Sequence, residues 1–140
     1  IHEEYTIPYD VDRSSTDHIC PMAISEMDEF SRKAFPGYHH LNRVQSAVFP
    51  VAHGSNENML VCAPTGAGKT DVAMLAVLKT VRDYTEFPAG MIRRDEFKIV
   101  YVAPMKALAA EITGKFSQRL KPYGLQVREY TGDMQLTRRE

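Results

Sequence analysis

Apolar residues follow two spacings along this chain, and the order of the two spacings predicts its secondary structure. Apolar positions three or four residues apart predict helices at residues 41–49, 69–81 and 105–120. Two unbroken apolar runs, at residues 58–63 and 98–103, predict strands that are buried on both faces. Residues 125–130 alternate in character and predict a third, less uniformly buried strand.

Local signals set the limits of these elements. Residues 25–28 (Ser-Glu-Met-Asp) resemble a capping box and predict a further helix that runs to Phe35, where Pro36 ends it. Pro50 limits the following helix, because proline cannot donate a helical hydrogen bond. Residues 83–96 are rich in turn-forming and charged residues and are predicted as a surface loop.

The resulting order is helix, helix, strand, helix, strand, helix, strand, which predicts an α/β fold with a parallel sheet and flanking helices. The residues expected on the buried sides of the last two helices are Val72, Leu75, Ala76, Leu78, Val81, Leu108, Ile112, Phe116 and Leu120. Ligands in such folds bind at the carboxyl ends of strands. We therefore expect residues 63–70, Pro104 and residues 131–133 to meet at one edge of the sheet.

Composition excludes several classes of protein and leaves a globular domain. The chain has 140 residues, of which 44% are hydrophobic and 25% charged, and its 17 basic and 18 acidic residues give a net charge of −1. Any nucleic-acid contact must therefore be local. No apolar run is long enough to cross a membrane. Cys20 and Cys62 suggest no disulfide framework, which favours the nucleus and cytoplasm.

The segment between the first predicted strand and the helix at 69–81 has the sequence of a phosphate-binding loop. Its residues are Ala63, Pro64, Thr65, Gly66, Ala67, Gly68, Lys69 and Thr70. Backbone N–H groups of residues 66–70 can point at a phosphate, and the helix that follows offers its positive end to the same anion. Lys69 would reach the β- and γ-phosphates of a nucleotide, and the Thr70 hydroxyl would bind Mg²⁺. Ala63 replaces the glycine that usually opens this motif.

This loop alone is compatible with kinases, transporters, GTPases and motor ATPases. Two further groups narrow the choice of protein class. The first is the segment 41–45, which ends in Gln45. The second comprises the segments Pro104-Met105-Lys106-Ala107-Leu108 and Thr131-Gly132-Asp133. Together with the loop, they resemble the first RecA-like lobe of superfamily 2 DExH-box helicases. The resemblance implies that Gln45 reads adenine. It also implies that Pro104, Met105, Lys106, Leu108, Thr131, Gly132 and Asp133 contact a single nucleic-acid strand.

Longer stretches around these motifs resemble the large tandem-cassette helicases. At residues 105–111 and 132–136 the sequence resembles the helicases of the activating signal cointegrator complex more than the spliceosomal ones. That resemblance implies ATP-driven 3′-to-5′ unwinding, a second RecA-like lobe, a second cassette and a multi-subunit, ribosome-associated complex. Its implied roles are the splitting of stalled, collided ribosomes and the repair of alkylated DNA. The alternatives are a spliceosomal U5-type RNA helicase, a nucleotide-binding scaffold cassette without catalysis, and a P-loop enzyme with a small-molecule substrate.

We divide the chain into an extended arm with little core, residues 1–25, and the N-terminal part of the first RecA-like ATP-binding domain, residues 26–140. The catalytic DExH box of the family is absent. Residues 28–31 and 95–98 only look like it, because neither segment ends a buried strand or places a histidine after the glutamate. We therefore expect this chain alone to bind nucleotide weakly and not to hydrolyse it.

Overall fold

The computed structural model of the protein describes residues 19–133. Its α-helices are α1 (Glu29–Arg32), α2 (Arg43–Gly54), α3 (Lys69–Asp83) and α4 (Lys106–Leu120). The strands β1 (Thr85–Glu86) and β2 (Met91–Ile92) form an antiparallel pair. Short 3-10 turns lie at Ile24–Glu26, Arg94–Glu96 and Lys121–Tyr123. None of the helices in this part of the chain has the length and apolar character needed to cross a membrane.

The first helix is shorter than predicted and starts at a different cap. Asp28 is the N-cap of α1, and its carboxylate accepts a hydrogen bond from the Ser31 N–H at 2.8 Å. Ser25 lies within a 3-10 turn instead, so the capping box predicted at residues 25–28 is wrong. The helix ends at Arg32, and the N–H groups of Ala34 and Phe35 donate to the carbonyls three residues earlier, at 3.2 and 3.0 Å, which tightens the chain before Pro36.

The second helix continues through the proline that was expected to limit it. α2 runs to Gly54 with Pro50 inside it, although an interior proline removes one helical hydrogen bond and costs about 3 kcal/mol. The last turn offsets this cost because Ala52 and His53 are both buried. The helix begins at Asn42, whose side chain and that of Gln45 each bond the other's backbone N–H.

The core is built around α3, which packs against α2 and α1. The predicted inward residues of α3 are confirmed except Ala76, which is exposed. Met74 and Val77 are also buried, because neighbours lie on more than one side of this helix. α4 adds Ile112, Phe116 and Leu120 to the same cluster, as its spacing predicted.

The predicted parallel sheet does not form among residues 19–133. Neither residues 58–63 nor residues 98–103 pair with another strand, and Leu60 and Val102 are 88% and 87% exposed. Residues 125–130 also form no strand, although their burial alternates as predicted. An apolar run shows that a segment suits burial on both faces, but neighbouring strands and covering helices must supply that burial.

The predicted surface loop at residues 83–96 is largely exposed, as expected, and contains the small β1–β2 pair that its sequence did not reveal. Strands of two residues are too short to produce a periodic signal. Thr85 is the buried member of the pair, and its hydroxyl donates to the Val81 carbonyl at 2.6 Å. This bond ties the hairpin to the end of α3.

The end of the predicted arm contributes to the core. Ala23 and His40 form an isolated antiparallel bridge, and the Ile24 N–H donates to the His39 carbonyl at 2.9 Å. Ile24 itself is buried. Residues 1–18 of the arm lie outside the described residues, as do residues 134–140.

A polar cluster around the buried His53 joins the first three helices. His53 on α2 places Nε2 2.9 Å from Asp28 Oδ1 and 3.0 Å from Arg82 Nη1, and Arg82 also donates to Asp28 at 3.2 Å. His53 Nδ1 lies 3.1 Å from the Leu75 carbonyl and therefore donates to it. Burial raises the pKa of Asp28, but its hydrogen bonds with His53 and Ser31 together lower the pKa by more than burial raises it. The pKa therefore lies below its ordinary value.

The stability that is lost when Asp28 is replaced should depend on pH. The lowered pKa means that Asp28 stabilises the fold above its unfolded-state pKa of about 4, and that this contribution is lost as pH falls through the folded-state pKa. Asp28→Asn should cost roughly 1–3 kcal/mol at pH 7, and much less at pH 3. Urea unfolding at both pH values measures the difference, with the exposed Asp95→Asn as the control. A cost that stays the same at pH 3 would contradict this assignment.

Candidate functional site

The phosphate-binding loop is shaped by two glycines with left-handed backbone. Gly66 has φ +85° and Gly68 has φ +79°, values that residues with a side chain rarely adopt. Between them, the Ala67 N–H donates to the Pro64 carbonyl at 3.1 Å and closes a tight turn. Gly68 is the N-cap of α3, so the loop passes directly into the helix. Of the predicted strand–loop–helix unit, the loop and the helix are therefore present, whereas residues 58–63 form no strand.

The loop leaves a row of backbone donors free. Within the described structure, the N–H groups of Gly66, Gly68, Lys69 and Thr70 donate no hydrogen bond. They stand at the positive end of a 15-residue helix. Of the five N–H groups expected to face a phosphate, Ala67 alone is used by the turn. Four free donors within five residues at a helix start are an arrangement that can bind an anion.

Lys69 folds back over the loop in this structure. Its Nζ donates to the Ala63 carbonyl at 2.6 Å, and the side chain is otherwise exposed. A single bond to a carbonyl is readily exchanged for a charge-assisted bond to a phosphate oxygen, which is about twice as strong. Thr70 is half-buried in the first turn of α3, next in sequence to Lys69.

Gln45 and Asn42, at the start of α2, hold the loop in place. Asn42 Nδ2 donates to the Ala67 carbonyl at 2.9 Å. Gln45 Nε2 donates to the Gly68 carbonyl at 3.2 Å and to Asp71 Oδ2 at 3.3 Å, and the residue is 4% exposed. Both ends of the Gln45 amide are therefore used within the protein. Sequence reasoning identified Gln45 but missed Asn42. The two residues are three positions apart, which is the spacing of a reciprocal helix cap, and this spacing could have revealed Asn42.

Asp71 is a second residue of the site that sequence reasoning missed. It follows Thr70 on α3, and its carboxylate accepts hydrogen bonds from Gln45 and from the Tyr38 hydroxyl, the latter at 3.2 Å. The same carboxylate forms an ion pair with Arg119 of α4. Burial and the charge of Asp71 raise the pKa of Tyr38, so Tyr38 remains a neutral donor. No motif marks this group, because its members come from four separate parts of the chain.

The two segments predicted to contact a nucleic-acid strand lie together. Met105 is the N-cap of α4 without a side-chain cap, and Pro104, Met105 and Lys106 are all exposed. Lys106 forms an exposed ion pair with Asp133, which joins the start of α4 to the turn at residues 131–133. Thr131 and Gly132 complete that turn.

Leu108 has a different environment from the other residues predicted to contact the strand. It is half-buried and packs against the core cluster. In this structure its packing holds α4 on the core, and the exposed surface at the start of that helix belongs to Met105 and Lys106.

The phosphate-binding loop and the start of α4 do not meet at one edge. Asp71, in the first turn of α3, contacts Arg119, which is near the last residue of α4. Lys106 is the first residue of α4, and 13 residues of helix span roughly 20 Å. The expectation that the two segments share a sheet edge is therefore not met among the described residues, because the strands that would align them are not paired.

Gly68 should tolerate a side chain less well than Gly66. A Cβ at Gly68 would overlap Nε2 of Gln45 and lie 2.9 Å from Nδ2 of Asn42, whereas a Cβ at Gly66 meets open space. Both glycines have positive φ, so Gly66→Ala should cost about 1–2 kcal/mol from backbone strain alone. Gly68→Ala should cost about 1–3 kcal/mol more because it displaces the two amides. Urea unfolding of both variants tests this. Equal losses of stability would contradict the idea that Asn42 and Gln45 clamp the loop at Gly68.

Known proteins share extended sequence similarity with this chain. A model of the DEAD/DEAH box helicase family matches residues 42–140. The chain is 54% identical over all 140 residues to human activating signal cointegrator 1 complex subunit 3, of which it covers 6%. It is 49% identical over 99% of its length to the RQC trigger complex helicase SLH1 of Saccharomyces cerevisiae, of which it covers 7%.

A third relative is the DExH-box ATP-dependent RNA helicase DExH14 of Arabidopsis thaliana, which is 56% identical over 84% of the chain, or 5% of the relative. The chain thus spans well under a tenth of the length of these relatives. The matched region contains the phosphate-binding loop, Asn42 and Gln45, which bond the loop, and the start of α4. On this evidence the chain belongs to the DEAD/DEAH box helicase family.

Proposed function

We propose that this chain is the nucleotide-binding part of the first RecA-like lobe of an ATP-dependent 3′-to-5′ nucleic-acid helicase. The observation that carries the proposal is the row of four free N–H groups over residues 66–70 in a member of the DEAD/DEAH box helicase family. Such a row binds a phosphate group of a nucleotide. The activity, substrates and partners of the whole protein are part of this proposal.

The residues of the loop suit ATP and Mg²⁺. Lys69 can exchange its bond to the Ala63 carbonyl for the β- and γ-phosphates. The hydroxyl of Thr70, in the first turn of α3, would hold Mg²⁺, which offsets the charge of the phosphates when bound. Gln45 stays our proposal for adenine recognition, and it would exchange its present bonds to Gly68 and Asp71 for the base.

A single nucleic-acid strand is the partner that suits the start of α4. Its free N–H groups lack a side-chain cap, and Lys106 adds a positive charge that a phosphate could take over from Asp133. Thr131 and Gly132, beside Lys106, would contact the same strand. Contacts of this kind go to the backbone, so they suit RNA and DNA alike.

For the complete lobe we propose a parallel sheet that includes residues 58–63, 98–103 and 125–130, covered by α3 and α4. The strong exposure of Leu60 and Val102 supports this, because apolar runs of this kind are normally covered on both faces. The sheet would also align the loop and the start of α4 at one edge. The division into an arm, residues 1–25, and a domain, residues 26–140, belongs to the same proposal.

The biological role that we propose is ribosome quality control within a multi-subunit complex. One relative is named as the helicase of the RQC trigger complex and another as a subunit of the activating signal cointegrator complex. Splitting of stalled, collided ribosomes is the action we assign, with repair of alkylated DNA as a further role and with nucleus and cytoplasm as the location. Intact Lys69 and Thr70 argue against a scaffold cassette without catalysis. This chain by itself should bind nucleotide weakly without turnover, because it has no DExH box.

Lys69→Ala should abolish ATP hydrolysis by the complete helicase without unfolding it. Among residues 19–133, the Nζ group bonds only the Ala63 carbonyl, at the surface, so the core does not depend on it. Steady-state hydrolysis and thermal unfolding give the two measurements. Lys33→Ala, at another exposed lysine, should leave both unchanged. Normal hydrolysis by the Lys69 variant would refute the assigned role.

Lys106→Glu should weaken binding of single-stranded nucleic acid and reduce its salt dependence. Loss of one phosphate contact lowers the slope of log K against log salt by about 0.7. Fluorescence anisotropy across a salt series measures both quantities. Lys115→Glu makes the same charge change on an exposed face of the same helix and should have a smaller effect. Equal effects of the two variants would mean that Lys106 is only a solvated lysine.

A further inference from the structure

Asp71 places a negative charge beside the phosphate-binding loop. It lies in the first turn of α3, one residue after Thr70, and a single amide nitrogen of Gln45 bridges its carboxylate and the Gly68 carbonyl. A carboxylate at a helix N-terminus is favourable in an empty site. It is unfavourable next to bound ATP, because two anions then share the same positive end of the helix.

Arg119 neutralises that charge. Its guanidinium forms an ion pair with Asp71, and the two side chains are only 13% and 14% exposed. Nε of Arg119 donates to the Ala34 carbonyl at 2.7 Å, and the guanidinium lies 4.4 Å from the centre of the Phe35 ring. Backbone, ring and carboxylate together fix Arg119 in one orientation, with Nη1 against the Asp71 carboxylate.

The pair is poorly arranged for stability alone. Within the part of the chain that the structure describes, Nη2 of Arg119 is buried without a hydrogen-bond partner. A buried polar group without a partner is destabilising, and buried ion pairs are often no more stable than apolar residues of the same size. A role in setting charge and orientation at the loop accounts better for an arginine at this position.

We propose that Arg119 is a positioning residue of the nucleotide site, which acts through Asp71. It holds the Asp71 carboxylate against Tyr38 and cancels its charge, so that the free N–H groups of residues 66–70 attract phosphate at full strength. This inference rests on the proposed function, because it assigns the loop to ATP. The effect is on ATP affinity, since Arg119 belongs to the last turn of α4 and acts on the loop through Asp71 rather than by direct contact.

The sign of the charge effect separates this role from a structural one. Arg119→Gln leaves an uncompensated carboxylate beside the phosphates and should raise the KM for ATP about three- to tenfold, with little change in kcat. Asp71→Asn removes the repulsion and should leave KM unchanged or lower it. The double variant Arg119→Gln with Asp71→Asn should return to within about twofold of the original KM. A purely structural pair would instead show a raised KM in both single variants and no recovery in the double variant.

The experiment uses the complete helicase that carries this segment, with ATP hydrolysis for KM and kcat and a fluorescent ATP analogue for direct binding. Arg119→Lys keeps the charge and should raise KM less than Arg119→Gln does, which tests the effect even where the glutamine variant folds poorly. Lys121→Gln removes the same charge from an exposed position two residues away and should leave KM unchanged. Should the unaltered helicase neither bind nor hydrolyse ATP, the proposed function fails. Should it bind ATP while Arg119→Gln keeps the original KM, this inference alone is overturned.

Discussion

Burial of α3 on several sides is the constraint on which the rest of the structure depends. Met74, Leu75, Leu78 and Val81 of this helix are fully buried, between α1 and α2 and beside the apolar residues of α4. Complete burial of one such side chain contributes about 1.5–3 kcal/mol. Since the phosphate-binding loop passes directly into α3, the same packing that stabilises the core also fixes the position of the loop.

The site is assembled by side chains that bond backbone groups of the loop. Asn42 and Gln45 cap their own helix and at the same time bond the carbonyls of Ala67 and Gly68. Because these bonds use the carbonyls, the N–H groups on the other side of the peptides stay free for an anion. Gly68 is required at this point since the two amides occupy the space of a side chain.

Prediction from the sequence succeeded where one segment carries its own signal. The limits of α3 and α4 follow from their apolar spacing, and the glycines of the loop mark its turns. It failed where the outcome depends on distant partners. Pro50 stays inside α2 because Ala52 and His53 find a buried environment. Asp71 becomes part of the site through Gln45, Tyr38 and Arg119, which come from distant parts of the chain.

The exposed runs at residues 58–63 and 98–103 imply an order of folding during synthesis. The contacts among α1, α2 and α3 join elements that are close in sequence, and such contacts form early. In the parallel sheet that we propose for the complete lobe, the two runs would gain burial only when their strand neighbours arrive, and until then they would present extended apolar chain to solvent. Extended apolar chain is what chaperones recognise on a growing polypeptide. We therefore expect the nascent protein to engage chaperones through these two runs while its helical core is already formed.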